Sequence, residues 1–100
     1  MHVISRKALE TFWLKHPNAK APLETWYKLV NAANFESFNA VKRTFNTADY
    51  VPPYTVFDAG GNNFRVICVM HFNRQKLYVR EVFTHAAHDR WSKALRSKKQ

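Results

Sequence analysis

The chain predicts an α+β sandwich: an antiparallel sheet covered on one face by an N-terminal helical hairpin, with a helix at the C-terminus. From Asn63 to Phe72 and from Lys76 to Phe83, side chains alternate with the period of two expected of half-buried strands. Between Arg6 and Ala33 the apolar residues instead recur at helical spacing. The chain is 46% hydrophobic, enough for a true core and too much for disorder, so residues 1–100 are read as one domain.

His2-Val3-Ile4 is short and β-branched and reads as an edge strand. Ser5 stands where an N-cap belongs, although no Glu or Gln follows three residues later to complete a capping box. Leu9, Phe12 and Trp13 mark a first helix that Pro17 ends. Pro22 suits the first turn of a second, with Leu23, Trp26, Tyr27 and Val30 as its apolar stripe. Ser37 caps a short third helix carrying Phe38 and Val41 inward. Thr47–Pro53 reads as a loop, because Pro52-Pro53 stops regular structure. Tyr54–Ala59 is a strand, and Gly60-Gly61-Asn62 turns it into the next. Asn73–Gln75 closes a hairpin, Thr84 caps the last helix, and RSKKQ forms a basic tail.

A hairpin loop with an even number of residues pairs Phe72 with Leu77 and separates two faces. One carries Phe64, Val66, Cys68, Met70, Phe72, Leu77, Val79 and Phe83, with Glu81 its one charge. The other carries Arg65, Ile67, Val69, His71, Tyr78, Arg80, Val82 and Thr84, with Lys76 at its edge. A bulge would reassign everything beyond it, since a one-residue slip flips each side chain.

Sixteen Lys and Arg against seven Asp and Glu give a formal charge of +9, which points to a polyanionic partner. Cys68 is the only cysteine, so no intramolecular disulfide forms and a reducing cytoplasm fits. The N-terminus lacks an apolar signal core, and no apolar run reaches membrane-helix length, roughly 18 residues.

The candidate chemistry lies on the mixed face. Arg65 and Arg80 on adjacent strands, near Tyr78, His71 and Lys76, offer guanidinium forks for phosphate. The competing structural reading pairs Arg65 with Asp58 across the glycine turn. His85 and His88 sit where a strand becomes a helix and can serve as general acid or base, with Asp89 to orient one of them. His71, His85 and His88 lack the spacing and partner cysteines of a zinc site, so no metal or other cofactor is expected. Cys68 points to the core, and Trp91 reads as docking the last helix rather than stacking a base.

The run GGNNFRVICVMHFNRQKLYVREVFTHAAHD, together with ISRKALETFWLKHPNAKAPLETWY, closely resembles the HigB family of type II toxins in the RelE/ParE superfamily. The resemblance implies a RelE-like fold and a ribosome-dependent mRNA interferase, an endoribonuclease that uses the RNA's own 2′-hydroxyl and no metal. It assigns Arg65 and Arg80 to phosphate and transition-state binding, makes His85 the leading acid–base candidate, and gives Lys76, Tyr78 and Arg74 to RNA contacts. From the residues alone His88 stays a second acid–base candidate and His71 a further RNA contact on the mixed face. In the family it resembles, the TH segment usually continues to a tyrosine before the aspartate; this chain has His88 there. The implied partners are mRNA, the ribosome and a HigA-like helix-turn-helix antitoxin, with operator DNA reached only through that antitoxin. A ParE-like gyrase poison and a non-catalytic RNA-binding module are the competing expectations.

Overall fold

Alternating strand segments and amphipathic helices assemble in the order β1 (His2–Ile4), α1 (Arg6–Lys15), α2 (Lys20–Ala32), α3 (Phe38–Thr44), β2 (Asp49–Val51), β3 (Tyr54–Ala59), β4 (Phe64–His71), β5 (Lys76–Thr84) and α4 (His85–Lys98). This is a computed structural model, and it describes residues 1–61 and 63–98, without the side chains of 95–98. Asn62 of the glycine turn and the end of the basic tail lie outside the described residues.

The strands form one sheet in the order β1-β5-β4-β3-β2. Pairing is antiparallel from β2 to β5, whereas β1 runs parallel to β5, so the sheet is mixed rather than antiparallel throughout. A parallel neighbour needs a long crossover, and everything between Ile4 and Lys76 supplies it. β2 corrects the reading of Thr47–Pro53 as loop: Pro52 and Pro53 are the turn between β2 and β3, with Val51 opposite Tyr54. The prolines break the chain between two strands, and the strand they border is an edge, where such residues are tolerated.

α1 packs on β5, and α2 on β1 and β3, so the helical hairpin covers one face. Leu9, Leu23, Val30, Val41, Phe57, Val66, Cys68 and Leu77 are fully buried there, with Trp26 edge-on to Phe57 at 5.3 Å. Burial raises the Cys68 thiol well above its ordinary pKa, so it is an inert core residue. Ser37 caps α3 by accepting the Ala40 N–H at 3.3 Å. Ser5 does not cap α1 through its side chain: it adopts a left-handed φ of 74°. That conformation makes the sharp exit from β1, and it is not the extended one an N-cap side chain requires.

The hairpin loop is even, but shifted by one pair from the expectation: His71 faces Lys76 and Met70 faces Leu77. Further along, Cys68 faces Val79 while Ile67 faces Glu81, so Arg80 is the extra residue of a β-bulge. The bulge exchanges the faces beyond it. Val82 now opposes Val66 on the helical-hairpin side, and Phe83 opposes Arg65 on the other. That second face is also covered, for α4 folds back over β4 and β5. Trp91 lies 5.5 Å from Tyr54 and 5.9 Å from Phe83, and Val56 and Ile67 beneath are buried.

Candidate active site

The start of α4 is fixed from two sides. Thr84 Oγ1 accepts the Ala87 N–H at 3.3 Å, as an N-cap should, and the His85 N–H donates to the Asn63 carbonyl at 3.1 Å. Because Asn63 immediately precedes β4, this bond sets His85 beside Arg65, the second residue of that strand. Asp58 stands directly opposite Arg65 on β3.

Arg65 is only 8% exposed, and its fork is deployed in three directions. Nε lies 2.9 Å from Asp58 Oδ1, Nη1 donates to the Phe64 carbonyl at 3.2 Å, and Nη2 is 3.1 Å from His85 Nδ1. The ion pair anticipated as the structural alternative is therefore present. A guanidinium can only donate, so His85 Nδ1 must accept, and the neutral ring carries its proton on Nε2. That Nε2 faces Asp89 Oδ2 at 3.6 Å, one helical turn on. The result is an ordered line, Asp58–Arg65–His85–Asp89, running from a buried arginine to a half-exposed imidazole.

His88 joins from the next turn of α4, partly buried, with Trp91 5.7 Å away. Its pKa is lowered, first by burial and then by the Arg65 charge and His85, against the opposing pull of Asp89 and Asp58. Near neutral pH it is an uncharged imidazole able to accept a proton.

The remaining candidates gather elsewhere. His71 and Tyr78 meet edge to face at 5.4 Å, Lys76 is paired with His71, and Arg74 is exposed in the hairpin's 3-10 turn. His71 and Arg65 stand at opposite ends of β4, roughly 20 Å apart along the strand. Arg80 does not join Arg65, as the alternating pattern had it doing. The bulge carries it to the edge of β5, where it lies 5.8 Å from the Tyr78 ring and lines a cleft with α1. The three histidines considered for zinc are not brought together either, and among the described residues no group of three or more His, Cys, Asp or Glu is disposed to hold a metal. Trp91 docks α4 as the sequence suggests, but sequence reasoning missed Phe83 in its seat, because Phe83 reaches that face only through the bulge and no residue type announces a bulge at Arg80.

A small mixed sheet with helices on both faces fits the class given by the matching family model. Residues 19–91 match HigB_toxin, described as the RelE-like toxic component of a toxin–antitoxin system. The chain belongs to the HigB toxin family. It is 34% identical over 101 residues to the mRNA interferase toxin HigB of Escherichia coli K12, covering 98% of this chain and 97% of that one. The mRNA interferase HigB of Shigella flexneri is similar to the same extent, and that of Escherichia coli O6:H1 is 29% identical over the full length of both chains. Membership implies a cognate antitoxin as partner. No helix among the described residues is long and apolar enough to cross a membrane.

Proposed function

We propose that this chain is a cytoplasmic mRNA interferase that cuts messages on the ribosome, and that His85, His88 and Arg65 form its reactive centre. The observation that carries the reading is the Arg65–His85 contact at 3.1 Å, with the arginine clamped by Asp58 and His88 held uncharged beside it. His88 takes the proton of the 2′-hydroxyl as that oxygen attacks the adjacent phosphorus. The O2′–P bond forms, the bond from phosphorus to the 5′-oxygen breaks, and the departing oxygen takes a proton from His85. A phosphate oxygen that accepts the Arg65 Nη2 hydrogen bond releases His85 Nδ1, which can then carry the second proton that an acid needs. The products are a 2′,3′-cyclic phosphate and a 5′-hydroxyl. Arg74, Lys76, Tyr78 and His71 at the hairpin end track the RNA backbone and bases, and Arg80 adds charge at the sheet edge. A helix-turn-helix antitoxin restrains the toxin and carries the operator binding.

Purified protein added to a translating ribosome system, followed by mapping of message 5′ ends, tests this. Wild type should produce new ends, and His85→Ala should lower their yield by about 10²-fold or more. Arg65→Ala should abolish cutting while ribosome association persists. Message left intact by the wild type would refute the nuclease. Loss of RNA or ribosome binding with Arg65→Ala, and no cutting by any form, would indicate a binding module instead.

A further inference from the structure

β1 covers only part of its neighbour. Its pairs with β5 are His2–Lys76, Val3–Leu77 and Ile4–Tyr78, after which the chain turns away at Ser5 into α1. Among the described residues no strand pairs with that edge of β5 beyond Tyr78, where Arg80, Glu81 and Val82 follow. A cleft of about 310 Å³ lies there, lined by Ala8, Thr11, Phe12 and Lys15 of α1 and by Arg80, Glu81 and Val82 of β5. The bulge at Arg80 helps make it, by turning Val82 toward the helix side and Arg80 to the rim.

The chemistry of this cleft is that of a strand acceptor. A bare strand edge offers backbone donors and acceptors at strand spacing, which an extended peptide can match. Ala8, Phe12 and Val82 provide an apolar floor, and all three are partly buried against the core. Lys15 and Arg80 are exposed at its rim, and Lys7, Thr11 and Lys15 continue at i, i+4 intervals along α1. Glu81 is the single carboxylate in the lining. Two rim cations, Lys15 and Arg80, with Lys7 further along α1, beside an open edge on a chain of net charge +9, select an acidic extended segment.

We propose that the free edge of β5 and the α1 cleft receive an extended acidic segment of the cognate antitoxin, which adds a strand where β1 leaves off. The family implies a cognate antitoxin, and the apolar floor and strand edge favour peptide over nucleic acid. The surface is separate from the Asp58–Arg65–His85 site, so this inference stands whether or not that site cleaves RNA.

Amide hydrogen exchange of the toxin, alone and with its antitoxin, tests the edge; titration calorimetry of Lys15→Glu and Arg80→Glu toxins tests the rim. Amides among residues 80–83 should gain protection on antitoxin binding, and each charge reversal should raise Kd about tenfold or more, with thermal midpoints unchanged. Unchanged exchange at 80–83, or affinities within twofold of wild type, would overturn the proposal. So would reversals that spare antitoxin binding but weaken binding of a single-stranded RNA oligonucleotide, which would make the cleft an RNA track.

Discussion

Arg65 and Asp58 face each other across β3 and β4 with side chains 9% and 22% exposed, and each has its charge answered by the other. Removing one partner of a fully buried pair costs about 3–5 kcal/mol, because the survivor is left charged and desolvated. The slight exposure of Asp58 lowers this, so Asp58→Asn should destabilise by on the order of 2 kcal/mol in chemical denaturation. His88 makes a prediction in pH. Its folded pKa lies below the ordinary 6.5, so the unfolded chain takes up the proton first. The stability from uncharged His88 is therefore fully present above that value and lost as pH falls through the lowered one. His88→Gln should flatten that part of a stability-versus-pH curve while leaving the carboxylate-driven loss at lower pH in place. At this scale much was legible: the types and positions of Arg65, Asp58, His85 and His88 are local facts, and a glycine turn sets Asp58 opposite Arg65. Which nitrogen of His85 meets the guanidinium was not, since that depends on how a helix is laid against a strand.

Elements were legible in proportion to their periodicity. The helical hairpin, β3, β4 and β5 follow from apolar spacing, and Thr84 and Ser37 cap as their positions suggest. β2 escaped notice because two prolines look the same beside a strand as inside a loop. The bulge escaped because its information resides in the pairing of two strands, and it relocates Arg80, Val82 and Phe83 together. Gly60 has φ +63°, and an added Cβ would lie 3.2 Å from Pro22 Cβ and Cγ, so the turn both needs a left-handed residue and abuts α2. Gly60→Ala should destabilise by at least about 1–2 kcal/mol, read from the denaturation midpoint. α4 depends on Trp91 between Tyr54 and Phe83. Trp91→Ala should cost about 2–3 kcal/mol, below the ~3–5 of a fully buried aromatic, since Trp91 is partly exposed. Exchange of α4 amides should speed far more than that of β4, because the helix is held to the sheet at this seat.

For the whole molecule, the net charge of +9 is a statement about encounter rather than fold. Binding to RNA or ribosomes should weaken steeply with salt, and removing Arg74 or Lys76, the cations proposed to track the RNA backbone, should lower the salt slope by roughly one each. The architecture keeps three tasks apart. The helical hairpin and one sheet face make the core, the other face seats α4 and the Arg65–His85–His88 cluster, and the β5 edge lies open beside α1. The measurement that bears most directly on this arrangement is the chemistry of the cut ends, from ribosome-bound message treated with wild type or with His85→Ala. The account predicts 2′,3′-cyclic phosphate and 5′-hydroxyl ends with the wild type and almost none with the variant. Ends of another chemistry, or undiminished cutting by His85→Ala, would contradict it.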